Sequence, residues 1–300
     1  MSSKSLTFAL FGNLYQQEKS AAIHQVLACL KVHGARVVID EEYYHFINEM
    51  CDVRSILSAS KCCFTTFTGN DFEADFAISM GGDGTFLKTA SRVGVKQIPI
   101  LGINMGRLGF LADVPSDDVE ACLQALYHDD FAVESRAVIQ VKADGHEHDE
   151  PLYALNDVAI LKRDTASMIA IRASINGQYL NTYQADGLIV STPTGSTAYS
   201  LSNGGPIIVP GTKVFSMTAV APHSLNVRPI VFSDSSIVEL DVESRSHSFL
   251  VAIDGRSEKF KEGTKITLRR APYDVKVVKR SDHRYFNTLR EKMMWGADTR

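Results

Sequence analysis

The 300-residue sequence holds one tryptophan, nine prolines and five cysteines, and 31 basic against 35 acidic residues leave a net charge of only −4. So small a charge, on the acidic side, excludes bulk electrostatic binding of nucleic acid, which needs a basic balance. No apolar run approaches the roughly 18 residues needed to span a bilayer. The opening Met1-Ser2-Ser3-Lys4-Ser5 runs into apolar residues 6–11 without the hydrophobic region or cleavage site of a signal peptide. A cytoplasmic location with no membrane and no nucleic-acid partner is therefore expected. Cys29, Cys51, Cys62, Cys63 and Cys122 are odd in number and form no C-x-x-C pair. They read as reduced thiols rather than a disulfide framework. Two nucleotide signatures are missing as well: neither a G-x-x-x-x-G-K-[ST] loop nor a G-x-G-x-x-G fingerprint occurs. What remains, 45% hydrophobic and 22% charged, is an ordinary globular chain of about two domains, long enough to need no disulfide or metal staple.

Residues 1–133 alternate between short apolar runs and helical patterns. Segments 6–11, 35–39, 76–80 and 98–103 read as strands. Segment 17–32 spaces Ala22, Ile23, Val26, Leu27 and Leu30 as a helix does and stops at Gly34. Segments 86–93 and 116–128 are the next helices, the second with Ser116 as its N-cap. This alternation predicts an N-terminal α/β domain built on a parallel sheet. Residues 134–280 read as a C-terminal β-rich domain. Its short strands are 133–141, 152–161, 168–175, 187–191, 237–242, 249–253 and 265–268. The dipeptides Asp144-Gly145, Asn176-Gly177 and Asp254-Gly255 mark hairpins between antiparallel strands. Residues 283–295 turn helical again, with Trp295 expected to pack.

Gly81-Gly82-Asp83-Gly84-Thr85 lies between a predicted strand and a predicted helix. Glycines there let backbone N–H groups approach phosphate oxygens, and a helix N-terminus favours negative charge. An aspartate in such a loop would repel phosphate unless it has work of its own. A kinase needs a group that takes the proton of the attacking hydroxyl, and Asp83 fits that role. A carboxylate is a weak base, so proton transfer is expected late, as charge leaves the oxygen. The plain alternative is a tight strand–helix turn.

The run 187–202 is the densest segment of the chain. An apolar strand, Gly187–Ser191, leads into Thr192-Pro193-Thr194-Gly195-Ser196-Thr197-Ala198-Tyr199-Ser200-Leu201-Ser202, then Asn203-Gly204-Gly205-Pro206 breaks the chain. Hydroxyls and free N–H groups at such a junction suit polyphosphate or ribose; the alternative is a loop whose hydroxyls cap themselves. Asn156-Asp157 sits inside a strand pattern, where a polar pair is costly to bury unless partnered. One carboxylate can accept both hydroxyls of a ribose diol, and an amide can match an adenine edge. An exposed strand end is the alternative.

The glycine loop, the Asn156-Asp157 pair and residues 186–206 resemble, in this order and spacing, the NAD kinases. Asn104-Met105-Gly106-Arg107-Leu108-Gly109-Phe110-Leu111 and Tyr285-Phe286-Asn287-Thr288-Leu289 are similar to that family too. The resemblance covers about residues 76–290. The glycine loop alone is phosphofructokinase-like and is shared with diacylglycerol and sphingosine kinases; the Thr-Pro-Thr-Gly-Ser-Thr-Ala-Tyr-Ser run is far more specific.

The resemblance implies ATP-dependent phosphorylation of the adenosine 2′-hydroxyl of NAD, with Asp83 as proton acceptor and Gly84 giving close backbone approach. Asn156 and Asp157 would hold the nucleoside; many family members carry Asn-Glu here, so Asp157 is one methylene shorter. Asp186 would meet the adenine amino group. Thr197, Ala198, Tyr199, Ser200, Leu201 and Ser202 would line the dinucleotide site, with Tyr199 as a stacking surface. Lys88 would pair with phosphates, and Ser167, Gln184, Ala221 and Arg256 align with further contacts. A divalent cation, most simply Mg²⁺, would bridge phosphoryl oxygens. The resemblance also implies a homo-oligomer, a dimer or tetramer, and a C-terminal helix (281–300) packed back on the first domain. A lipid kinase and a non-catalytic NAD(P) sensor are the alternatives. His146, His148, Asp149 and Glu150 read as a solvated hairpin tip, and Lys276, Lys279, Arg280 and Arg284 as a solvated basic face.

Overall fold

A computed structural model describes residues 5–14, 20–57, 63–106, 108–144, 151–164 and 167–296. Cys62 and the cluster His146, His148, Asp149 and Glu150 lie outside the described residues. The chain divides into two compact units, Met1–Glu134 with Val275–Arg300, and Ser135–Asp274.

In the first unit the strands run in the order Cys63–Phe67, Arg36–Asp40, Thr7–Gly12, Phe76–Gly81, Ile100–Asn104, Val275–Arg280 and Phe131–Arg136, with Val114–Pro115 beside Ile100–Asn104. The pairs from Cys63–Phe67 through Val275–Arg280 are parallel. The central strands are covered on both faces, so they read as unbroken apolar runs rather than alternating ones: Phe8, Ala9, Leu10, Ala77 and Ile78 are all fully buried. The helix Ser20–Val32 packs Ile23, Val26, Leu27 and Leu30 into that core beside Leu123 and Leu126 of the helix Val119–Tyr127. Strand order reverses between Thr7–Gly12 and Phe76–Gly81. In open α/β sheets such a switch point is where ligands bind, outside the carboxyl ends of the strands. The glycine loop leaves the sheet at that place.

Several local expectations shift. The helix expected from Ser116 opens with a 3-10 turn, Ser116–Asp118, and its N-cap is Asp118. The run 133–141 is two strands, Phe131–Arg136 in the parallel sheet and Ile139–Ala143 elsewhere. Trp295 is 56% exposed, because the C-terminal helix ends at Met293 and Met294 takes a left-handed φ of 52°. Lys279 is not on a solvated face: it is buried, with Nζ 2.5 Å from Asp113 Oδ2. The reason is topological. Its strand, Val275–Arg280, is an interior one, between Ile100–Asn104 and Phe131–Arg136, so a cation there must find a carboxylate. Lys279→Met is expected to lower unfolding stability by about 3 kcal/mol, since it strips a buried carboxylate of its lysine partner; chemical denaturation measures it.

The second unit is two six-stranded antiparallel sheets. One runs Ile230–Ser233, Val214–Val220, Gly187–Ser191, Asp157–Lys162, Ser248–Ile253 and Arg256–Lys261. The other runs Gln178–Ala185, Ile169–Ile175, Val238–Glu243, Ile266–Arg270, Ile139–Ala143 and Leu152–Ala154. Alternate residues meet in one core, with Val158, Ile160, Leu188, Val190 and Val251 from the first sheet and Ile171, Leu240, Val242 and Leu268 from the second. The Asn176-Gly177 and Asp254-Gly255 hairpins form with both residues at positive φ, 52° and 76°, then 48° and 80°. The run 152–161 is interrupted at Leu155-Asn156. Leu152–Ala154 lies in one sheet and Asp157–Lys162 in the other, so the chain changes sheets there. Among the described residues no helix is long and apolar enough to cross a membrane.

Candidate active site

The strand Phe76–Gly81 is buried throughout and ends in a turn too tight for a side chain at Gly81, where a Cβ would collide with the Thr85 side chain. Gly82 caps the following helix: its carbonyl accepts from Thr85 N at 3.0 Å and Phe86 N at 3.1 Å. The helix therefore begins at Asp83, earlier than the expected residue 86, and places a carboxylate in the first turn, where the helix dipole favours it. Both carboxylate oxygens are engaged. Oδ2 accepts from Phe110 N, and Oδ1 from Leu111 N and Ala112 N, each at 3.0 Å. Gly109 makes room, since a Cβ there would collide with Asp83 Oδ1. Gly84 is exposed, and among the described residues nothing lies within 4 Å of a Cβ placed on it. Its bareness serves no internal packing. Lys88 is exposed on the same helix.

In the second unit a different aspartate does similar stitching. Asp254, in its left-handed turn, accepts from Leu155 N at 2.8 Å, Asn156 N at 2.7 Å and Asp157 N at 3.2 Å. This holds the sheet crossing and presents Asn156 and Asp157. Asp157 is buried, 6% exposed. Burial first, and the Asp254 charge second, push its carboxyl up to about 7, against a hydrogen bond from the Tyr199 backbone that favours the ionised form. Asp254 is raised too, chiefly by burial, with its three backbone donors and the nearby Arg256 charge opposing. Asn156 Oδ1 is buried and has no hydrogen-bond partner among the described residues. A buried acceptor left open in this way calls for a donor from outside the chain.

The Thr-Pro-Thr-Gly turn seats against the same segment. Thr192 N donates to Asn156 O at 2.9 Å and Thr192 Oγ1 to Leu155 O at 2.6 Å. A Cβ on Gly195 would collide with the Asn156 backbone carbonyl. Gly195→Ala is expected to lower stability by about 1–3 kcal/mol, because backbone and not a flexible side chain must yield; a thermal melt checks it.

Much of the hydroxyl-rich run is bonded within the chain. Ser196 is internal, donating to Pro193 O at 2.7 Å and accepting from Ile208 N at 3.0 Å. Ser200 Oγ is 3.2 Å from Thr218 Oγ1, and Thr197 donates to Thr194 O at 3.4 Å. Ala198 and Leu201 are half-buried, while Tyr199 and Ser202 are exposed. Asp186 Oδ1 pairs with Lys162 Nζ at 2.7 Å. Gln184 and half-buried Ser167 belong to the other sheet's hairpin region, and the Gln184 carbonyl accepts from His223 N at 2.9 Å. Ala221 is exposed at a φ of 43°, and Arg256 is exposed. Sequence reasoning missed Asp254 and the 110–112 amides. The one signal for Asp254 was the Asp-Gly dipeptide, which reads as a turn and says nothing of what its carboxylate holds.

A glycine turn at the switch point of a parallel sheet, and a domain that presents a half-buried amide beside a buried carboxylate, suit a nucleotide-dependent phosphotransferase. Residues 8–131 match the ATP-NAD kinase N-terminal domain and residues 155–280 the ATP-NAD kinase C-terminal domain. The NAD kinase of Bacteroides fragilis is 56% identical over 98% of this chain and 100% of its own, and that of Porphyromonas gingivalis 42% identical over 97% and 99%. Among solved structures, an NAD kinase from Archaeoglobus fulgidus in complex with ATP is 26% identical and superposes with a TM-score of 0.70, over 96% of this chain and 99% of that one. Yeast NADH kinase complexed with NADH, 21% identical, shares the fold with a TM-score of 0.87 over 100% and 90%. The chain belongs to the ATP-NAD kinase family.

Proposed function

We propose that this kinase, whose substrates are NAD and ATP, transfers the terminal phosphoryl group of ATP to the 2′-hydroxyl of the adenosine ribose, giving NADP and ADP. The observation that carries the reading is the pair formed by half-buried Asn156 and buried Asp157, whose amide oxygen is buried and has no partner among the described residues. An adenine amino group supplies the missing donor, and the ionised Asp157 accepts ribose hydroxyls. Asp186 keeps one oxygen beyond its Lys162 pair for a second base contact. The exposed Tyr199 ring offers a stacking face, and Thr197, Ala198, Ser200, Leu201 and Ser202 surround it. Ser167, Gln184, Ala221 and Arg256 complete the contact set.

Asp83 is the proton acceptor. As the new P–O bond forms and the bond to ADP breaks, the 2′-hydroxyl proton passes to a carboxylate oxygen. Bare Gly84 and the N–H groups at the start of the helix, ahead of the Thr85 and Phe86 N–H groups bonded to Gly82, receive phosphate oxygens, and Lys88 neutralises them. A divalent cation, Mg²⁺, supplies charge neutralisation on the phosphates. Among the described residues no group of three or more His, Cys, Asp or Glu side chains forms a metal cage. This suits an ion that arrives on the nucleotide, and no step above runs through it. The enzyme acts in the cytoplasm as a homo-oligomer, a dimer or tetramer. The 2′-deoxyadenosine analogue of NAD tests the assignment: the protein is expected to phosphorylate NAD and leave the analogue untouched. Phosphorylation of the analogue would place the acceptor hydroxyl elsewhere.

A further inference from the structure

The segment that supplies Asp83 with its amides is itself held at both ends by one stretch of chain. Immediately after Ala112 comes Asp113, buried at 5% side-chain exposure. Its Oδ2 takes Lys279 Nζ at 2.5 Å and His283 Nε2 at 3.1 Å. Burial alone would raise the Asp113 carboxyl, but the His283 hydrogen bond and the Lys279 charge hold it below its usual range. His283 Nε2 is also 3.3 Å from Thr288 Oγ1, inside the helix Tyr285–Met293. At the other end, Lys292 Nζ donates to the Leu108 carbonyl and lies 5.6 Å from the centre of the Phe110 ring, which Tyr285 approaches at 6.5 Å. A buried lysine–carboxylate pair costs desolvation that apolar residues would avoid, so its presence beside this particular loop, with His283 on the same oxygen, calls for a use.

We propose that Asp113, Lys279, His283 and Lys292 are positioning residues for phosphoryl transfer. They clamp segment 108–113 so that its three successive N–H groups hold the Asp83 carboxylate in one orientation. The inference rests on the reading of Asp83 as proton acceptor. A carboxylate on a first-turn side chain has rotamer freedom; three donors fixed in space remove it. The clamp touches no substrate and acts only through the loop. A displacement of about 1 Å at a reacting group can cost on the order of a hundredfold in rate, so a loosened clamp lowers kcat while substrate binding is left alone.

The test uses the full chain and compares His283→Ala, His283→Gln and Lys292→Met with the wild type and with Asp83→Asn. Gln places an amide N–H near the position of Nε2, so it keeps the bond to Asp113 without the ring. Lys292 is exposed, so its variant folds even where a change at His283 does not. His283→Ala is expected to lower kcat about tenfold or more with the KM values for NAD and ATP within about twofold. His283→Gln restores most of that loss, and Lys292→Met lowers kcat in the same direction by less. Amide hydrogen exchange at Phe110, Leu111 and Ala112 speeds up in the order of the kcat losses. In the Asp83→Asn background, His283→Ala adds less than about a twofold loss, because the two act as one unit. Unchanged kcat in both His283→Ala and Lys292→Met overturns the proposal, as does a loss that sits in KM or one that Gln leaves unrepaired. Should Asp83→Asn keep wild-type turnover, the acceptor reading fails by itself; unchanged exchange at 110–112 in His283→Ala separately removes the clamp.

Discussion

Asp83→Asn is expected to lower kcat for NAD phosphorylation by about a hundredfold or more, the range for losing a positioned general base, with the KM for NAD changed only a few-fold. Asn keeps the size of Asp83 and loses the charge that takes the proton. It also disturbs the loop in a defined way. The amide oxygen can still accept from Leu111 and Ala112, which share Oδ1, but the amide nitrogen then faces the Phe110 N–H, donor against donor. Steady-state kinetics with NAD and ATP measure the loss. Hydrogen exchange at Phe110 reports how much of it comes from the loop. Wild-type turnover in the variant would remove Asp83 from the chemistry and leave it a structural tie.

The second large effect concerns Asp157 and has opposite signs in stability and function. In the unfolded chain this carboxyl titrates near its ordinary value of 3.8; in the folded protein burial and the neighbouring Asp254 raise it to about 7. Between those two values the folded state binds more protons than the unfolded state, so stability falls as pH rises through the window from about 4 to about 7, and the loss is complete above it. Asp157→Asn cannot ionise. At pH 8 it is expected to be more stable than the wild type by about 2–4 kcal/mol, the upper figure being a three-unit shift at 1.36 kcal/mol each, and to show a flatter dependence of melting temperature on pH from 5 to 8. Below about pH 4, where Asp157 is protonated in both folded and unfolded states, the two proteins converge. The same change weakens nucleoside binding, because a neutral amide has one accepting oxygen and no charge where the carboxylate has two charged ones, and the KM for NAD rises about tenfold. A variant that melts lower than the wild type at pH 8 would contradict the account. The charge would then be more stabilised by Tyr199 N–H and unseen donors than burial costs it.

These two aspartates show how far the sequence could be read. Asp83 stood out because three glycines around a carboxylate, after an apolar strand, are odd in a turn that has only to turn. The helix start was misplaced because Gly82, without a side chain, serves as the cap; no Ser, Thr, Asp or Asn announces it. Asp254 was hidden. Its amide partners lie 97 to 99 residues away in the chain, and an Asp-Gly pair explains itself as a hairpin. Lys279 was misread for a similar reason: its partner Asp113 is 166 residues distant, and local charge density points to solvent. Alternation of apolar residues gave the strands but not the break at Leu155-Asn156, because a strand that changes sheets keeps its pattern on either side. Among the hydroxyls, Ser196 and Thr192 serve the chain itself, and only packing distinguishes them from their neighbours.

The claim at the centre is a phosphoryl group added to the adenosine 2′-oxygen of NAD, and the most direct measurement is phosphorus NMR of the product formed from NAD, ATP and Mg²⁺ by the wild-type chain. The account predicts a new phosphomonoester resonance coupled to the ribose 2′ proton, formed in step with ADP, on a product that an NADP-specific dehydrogenase accepts. A phosphomonoester on another hydroxyl, or none from a folded protein that binds NAD, would contradict it.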